Sequence, residues 1–178
     1  MMTPTTFKPV ILKNVCSKTY LDMIMHMLPK VESWQNKEEH DVNYKKINLV
    51  KLNIVTHGKF DNELLGGIAV GLLSQIYDAG GKDYLTPEMH FCAVSVKDKS
   101  TPKNFHTDNW GEGKLKVLGI LNSDWDSKKD GGGFICNDVS YILEPTDFLI
   151  FDSNQTHSNN TITGDKDRYA IDFMLTAK

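Results

Sequence analysis

Four residues in the second half of the chain have types and spacing that could do chemistry. His106-Thr107-Asp108 comes first, His157 follows 51 residues after His106, and Arg168 lies 11 residues beyond that. An extended segment alternates its side chains between faces, so His106 and Asp108 point the same way if the stretch is a strand. Two imidazoles and one carboxylate on one side of a metal leave several coordination positions open, the donor set associated with non-heme iron(II) oxygenases. Arg168 is the only arginine in the sequence, against nineteen lysines. A planar guanidinium holds a carboxylate through two parallel hydrogen bonds, which a lysine cannot do. An arginine at that distance from a candidate ligand points to a socket for an acidic co-substrate. A His-x-Asp tripeptide alone is a weak signal, and a single histidine is more often an ordinary surface or core residue. The ordered combination carries the weight.

The elements that must position these residues divide into two parts. Residues 1–15 read as an extended lead-in, with an edge strand around Val10-Ile11-Leu12. Ser17 caps a helix running to about Leu28, with Tyr20, Leu21, Ile24 and Leu28 on one face. Residues 32–46 are polar and charged and read as a loop, in which Trp34 and Tyr44 could form a lid over a site. A strand is expected over Ile47–Val55, then a turn at His57-Gly58. A second helix is expected over Leu64–Tyr77, apolar nearly all round and so packed on a sheet, with Gly66, Gly67 and Gly71 permitting close approach to it. Gly80-Gly81 ends it. From about Glu88 the pattern becomes short β segments: Met89–Val96, His106–Trp110, Leu115–Leu121, Phe134–Asn137, Val139–Leu143, Asp147–Phe151, a segment at His157, and Arg168–Leu175. Helices followed by many short strands predict a mainly β sandwich or jelly roll braced by N-terminal helices. The division is a single domain over 1–178, with helix-rich support at 1–87 and a jelly-roll core at 88–178.

Composition narrows the function classes. The 178 residues are 40% hydrophobic and 24% charged, ordinary for a globular protein. A net charge of −3 gives no general attraction to nucleic acid or anionic lipid. Cys16, Cys92 and Cys136 have no paired spacing and read as reduced, buried thiols, which favours a cytoplasmic, intracellular protein over a disulfide scaffold. No basic-then-apolar leader pattern opens the sequence and no apolar run reaches membrane-spanning length, so neither export nor a membrane is expected.

Between the first pair and the distal histidine lies Leu121-Asn122-Ser123-Asp124-Trp125-Asp126, then Gly131-Gly132-Gly133. This resembles the Leu-Asn-x-x-Trp-x…Gly-Gly signature of prolyl-hydroxylase-type iron(II)/2-oxoglutarate dioxygenases. Pro145-Thr146-Asp147-Phe148-Leu149-Ile150-Phe151 is similar to that family's strand leading to the distal histidine, and Arg168-Tyr169-Ala170-Ile171 to its arginine-bearing final strand. The resemblance spans roughly residues 88–176. It implies a double-stranded β-helix in which His106, Asp108 and His157 ligate iron(II) and Arg168 pairs with the distal carboxylate of 2-oxoglutarate. Dioxygen is then the second co-substrate, with ascorbate in a supporting part. The implied reaction hydroxylates a prolyl residue in a peptide or protein, or a free amino acid, and converts 2-oxoglutarate to succinate. The iron and co-substrate supply the oxidising chemistry; the protein positions and shields them.

The sequence departs from the family pattern at three places. Ile120 stands where relatives often have a tyrosine that helps hold 2-oxoglutarate. A second co-substrate tyrosine, about ten residues before the first ligand, falls near Ser95 or Val96. Asp172 stands four residues after the arginine, where a small hydroxyl residue can assist. Asp108 argues against the halogenating relatives, which lose that carboxylate. Met174, in place of a second arginine, argues against the nucleic-acid demethylases. Two alternatives stay open: a non-catalytic β-helix binding module, suggested by Ile120 and the missing tyrosine, and a cupin-type metal enzyme that uses no 2-oxoglutarate, which an exposed Arg168 would favour. Near the candidate site, Trp110 could line the substrate mouth, Trp125 is expected to pack, and Asn154, Gln155, Asn159 and Asn160 could orient ligands. The Gly131–Gly133 run lacks the context of a phosphate loop and reads as a turn. Oligomeric state does not follow from the sequence.

Overall fold

The computed structural model describes residues 7–28, 35–36 and 50–178. Trp34 and Tyr44, expected as a lid, lie outside the described residues, as do Ile47 to Leu49 at the start of the expected strand. The described elements run in the order β1 (Val10–Leu12), α1 (Lys18–Met27), β2 (Gln35–Asn36), β3 (Val50–Thr56), β4 (Lys59–Phe60), α2 (Glu63–Asp78), a 3-10 turn at Gly81–Asp83, β5 (Leu85–Lys97), β6 (Lys114–Ile120), β7 (Phe134–Cys136), β8 (Val139–Tyr141), β9 (Phe148–Asp152), β10 (His157–Asn159) and β11 (Arg168–Ala177). Eight strands form one sheet in the order β1-β9-β6-β11-β5-β3-β2, with β4 on the side of β3. A second sheet, β10-β7-β8, has three strands. All the described pairings are antiparallel. The result is a mainly β, jelly-roll architecture with two helices.

Both helices start where side chains can satisfy their open N–H groups. The Tyr20 N–H donates to Ser17 Oγ at 3.1 Å, and the Leu65 N–H to Asn62 Oδ1 at 2.9 Å. Gly80, with φ of +114°, takes the left-handed turn after α2 that other residues avoid. Leu21, Ile24 and Leu28 line one side of α1, and Leu65, Ala69, Leu72 and Ile76 one side of α2, all buried. As expected, α2 shares a core with the sheet, but it is not covered all round: Leu64 and Val70 are exposed. Nor do its glycines all serve contact with the sheet. A Cβ on Gly66 would meet the Phe60 ring, one on Gly71 the Tyr20 hydroxyl, and one on Gly67 open space.

The alternation along β11 determines what lies on each side of the large sheet. Ile171, Phe173 and Leu175 face the helices and join Cys92, Val94, Val117 and Ile150 in one core. Each fully buried Leu, Ile or Phe there stabilises the fold by about 1.5–3 kcal/mol. Arg168, Ala170 and Asp172 alternate with them and line a cavity on the opposite face, between the two sheets. One end of that interior is apolar, filled by Ile120, Trp125, Phe134, Leu149, Phe151 and Ile162. The other end holds the chemistry.

Candidate metal and co-substrate site

The first two candidate ligands, His106 and Asp108, are not on a strand, which corrects the expectation for His106–Trp110. Only His106 pairs, through an isolated bridge in which its N–H donates to His157 O at 3.0 Å and its carbonyl oxygen accepts the His157 N–H at 2.9 Å. Asp108 is tied instead by its own N–H to Ser153 O at 3.0 Å. Asn109 then turns the chain with a φ of +53°, a conformation asparagine tolerates better than most residues. Three backbone bonds to the β9–β10 region thus do what strand alternation was expected to do.

These bonds bring one atom from each of His106, Asp108 and His157 within 4.8 Å of one another. His106 Nε2 lies 3.7 Å from Asp108 Oδ1, and His157 Nε2 lies 3.5 Å from Asp108 Oδ2. Each imidazole is oriented from behind. His106 Nδ1 is 3.1 Å from Asn104 O and His157 Nδ1 is 2.8 Å from Gln155 O. A carbonyl can only accept, so both Nδ1 atoms carry the hydrogen and both Nε2 lone pairs face Asp108. His157 also packs against the adjoining rings of Phe134 and Phe151, with centroids at 5.6 and 5.0 Å.

Burial pushes His157 down to about 4 and lowers His106 as well, so both rings are neutral at neutral pH and able to donate to a cation. Burial works to raise Asp108, but the Lys116 ammonium and the two imidazoles outweigh it and hold the carboxyl below its ordinary value. His157 Nε2 is buried and makes no hydrogen bond. A buried acceptor left open beside a carboxylate and a second imidazole fits a divalent cation, and the donor set suits iron(II).

Arg168 opens β11 and is 3% exposed. It lines the same cavity as the triad. One terminal N–H donates to Gly132 O and the other terminal nitrogen to Asn159 Oδ1 at 2.6 Å, whereas Nε–H is buried with no partner. Burial pushes the guanidinium down to about 10, still charged at neutral pH. Among the described residues no carboxylate pairs with it. A buried cation of this kind, with a donor to spare, fits a carboxylate ligand.

The sequence signature now has a physical role, which is to seat Arg168. Asn122 donates from Nδ2 to Asp167 O at 3.0 Å and accepts the Tyr169 N–H at 2.7 Å, gripping the backbone on both sides of the arginine. Trp125 packs as expected and donates from Nε1 to Gly131 O at 3.2 Å. Gly131 and Gly132 form a turn with φ of +71° and +67°, and a Cβ on Gly132 would lie 3.3 Å from Arg168 Cδ.

Other expected residues divide. Asn159 and Asn160 line the cavity, but Asn154 sits in an exposed turn, and Gln155 spends its side chain on Phe7 O. Trp110 makes tilted ring contacts with Phe91 and His57 and is absent from the cavity wall. Ile120 belongs to the apolar interior, and Ser95, at the expected tyrosine, lines the cavity. Two residues were not anticipated as a unit: Lys116 lies 2.9 Å from Asp108 Oδ2 and 3.1 Å from Asp172 Oδ2. A lysine between Leu115 and Val117, inside a strand with no other charge beyond its first residue, Lys114, was the available signal. All three cysteines are free and buried, and no described helix is long and apolar enough to cross a membrane.

No protein-family model and no curated protein sequence matches the chain. Solved structures match it in fold. A prolyl hydroxylase from Trichoplax adhaerens, in complex with a hypoxia-inducible-factor degradation-domain peptide, superposes with a TM-score of 0.61 at 19% identity, over 94% of this chain and 83% of that one. HygX from Streptomyces hygroscopicus, with nickel and 2-oxoglutarate bound, gives 0.67 at 13% identity over 96% and 83%. SnoN, a non-heme α-ketoglutarate-dependent epimerase from nogalamycin biosynthesis, gives 0.65 at 11% identity over 94% and 78%. At these identities the likeness is one of fold. The chain has the double-stranded β-helix of 2-oxoglutarate- and iron(II)-dependent oxygenases, with a His-Asp-His triad inside it.

Proposed function

We propose that the protein is an iron(II)- and 2-oxoglutarate-dependent oxygenase that hydroxylates a prolyl residue of a peptide or protein, or a free amino acid. The observation that carries this reading is the buried Arg168, without a described carboxylate partner, in the cavity that also holds His106, Asp108 and His157. The triad would hold iron(II), leaving the remaining positions for co-substrate and dioxygen. Bound iron supplies oxygen activation coupled to decarboxylation of 2-oxoglutarate to succinate, with the second oxygen atom passing to substrate.

The chain's own residues bind, orient and shield. Asn104 and Gln155 carbonyls fix the imidazole tautomers, Phe134 and Phe151 exclude water around His157, and Arg168 receives the distal carboxylate of 2-oxoglutarate. Thr101, Pro102 and Asn104 bring the 97–104 loop to the cavity wall, which supports that loop as part of the substrate grip. Of the structural neighbours, one is a prolyl hydroxylase and another an epimerase, so prolyl or amino-acid hydroxylation rests on the sequence signature. A cupin-type enzyme without 2-oxoglutarate would suit an exposed Arg168; its burial supports co-substrate binding instead.

The test is succinate formation from 2-oxoglutarate with added iron(II), alone and with prolyl peptides or free amino acids. Peptide- or amino-acid-stimulated succinate, with a product heavier by one oxygen atom, is expected. Absence of both turnover and 2-oxoglutarate binding would overturn the reading and leave a non-catalytic binding module.

A further inference from the structure

Along β6, Leu115 and Val117 enter the core beneath the helices while Lys116 turns to the cavity. Its side chain is 14% exposed, and its ammonium lies 2.9 Å from Asp108 Oδ2 and 3.1 Å from Asp172 Oδ2. Asp172 stands on β11 and reaches the same ammonium from the neighbouring strand, with Asp172 and Leu118 in register. With two carboxylates already engaged, Lys116 is not an open anchor for a third. Asp108 is half-buried, with imidazole nitrogens at 3.5 and 3.7 Å, and the Lys116 ammonium is the cation set against it when no metal is present.

We propose that Lys116 is an internal stand-in for the metal: its ammonium pre-forms the triad in the metal-free protein and then competes with the metal for Asp108. Asp172, by sharing that ammonium, sets the strength of the competition. Lys116 is therefore a positioning residue acting through Asp108, and the inference rests on the reading of His106, Asp108 and His157 as metal ligands. A fixed positive charge against a ligand oxygen weakens the hold on a divalent ion in a site of low effective dielectric. Neutralising Lys116 frees Asp108 Oδ2 and leaves the Asp172 anion nearby, and both changes favour metal. Neutralising Asp172 commits the ammonium to Asp108 alone and removes an anion, and both changes disfavour it. The two variants therefore act with opposite signs. A merely structural pair would loosen Asp108 in either variant and weaken metal binding in both.

The experiment titrates Mn(II) by calorimetry, and Co(II) by absorption, into the metal-free full chain as wild type, Lys116→Met, Lys116→Gln and Asp172→Asn. Lys116→Met and Lys116→Gln are expected to bind at least about tenfold more tightly, with an altered Co(II) spectrum, and Asp172→Asn at least about tenfold more weakly. Lys116→Gln keeps a hydrogen-bond donor to Asp108 without the charge, and it decides the matter if Lys116→Met does not fold. Unchanged or weaker binding by the Lys116 variants overturns the inference, as does unchanged or tighter binding by Asp172→Asn. Wild-type protein that takes up neither ion contradicts the metal site itself. Wild type that binds while Lys116→Gln binds less well contradicts only the role of Lys116.

Discussion

Replacing Arg168 with alanine tests the proposed co-substrate socket separately from the proposed metal site. Two terminal guanidinium nitrogens are engaged by Gly132 O and Asn159 Oδ1, leaving Nε–H and further N–H groups for a ligand. Charge-assisted bonds contribute about 1.5–3 kcal/mol each. Deleting one partner of a buried charge pair costs about 2–5 kcal/mol. Taking about 4 kcal/mol, the alanine variant binds 2-oxoglutarate on the order of a thousandfold more weakly. Arg168 bonds to none of the His106, Asp108 and His157 side chains, so Mn(II) affinity is expected to stay within about threefold, below 1 kcal/mol. Arg168→Lys retains the charge without the fork and falls between wild type and alanine. The assay is anaerobic calorimetry of 2-oxoglutarate into Mn(II)-loaded protein, with melting curves to verify folding. Near-wild-type 2-oxoglutarate affinity in the alanine variant would refute the reasoning, as would parallel loss of metal and 2-oxoglutarate in a folded protein.

Two more outcomes follow from the geometry. Asn122→Ala removes both bonds that grip the chain around Arg168, leaving Asp167 O and the Tyr169 N–H to find other partners. A loss of about 2–4 kcal/mol in urea unfolding is expected, together with weaker 2-oxoglutarate binding, and an unaltered midpoint and affinity would contradict the role given to Asn122. In metal-free protein, burial holds His157 at about 4 against the ordinary imidazole value of about 6.5. Between those values the unfolded chain binds a proton that the folded chain refuses, so stability is complete above about pH 6.5 and declines as pH falls toward about 4. The decline amounts to about 3 kcal/mol at most. The lowered value of Asp108 carries the loss further into acid. Melting of chelator-treated protein across this range checks it, and a flat profile would contradict the burial argument.

The sheet was legible because alternation and turn residues speak locally. Ile171, Phe173 and Leu175 alternate with Ala170, Asp172 and Met174, and the structure buries the first set against the helices. Ser17 marked its helix start for the same reason. The segment around His106 was misread because its backbone partners, His157 O and Ser153 O, lie some fifty residues away, beyond what local periodicity can register. Gly66 does approach the sheet, through Phe60 of β4, but Gly71 was misassigned because the hydroxyl crowding it belongs to Tyr20 on α1. Lys116 and Asp172 share an ammonium only because β6 and β11 are neighbours, so neither residue alone disclosed the pair. The signature around Asn122 and Gly132 was visible as a pattern, but its use in seating Arg168 required coordinates.

The most direct measurement is a crystal structure after an anaerobic soak with Mn(II) and N-oxalylglycine, an unreactive stand-in for 2-oxoglutarate. The account predicts anomalous density for one ion bound by His106 Nε2, Asp108 and His157 Nε2, with the distal carboxylate of N-oxalylglycine on Arg168. An ion held elsewhere, or N-oxalylglycine seated away from Arg168, would contradict it.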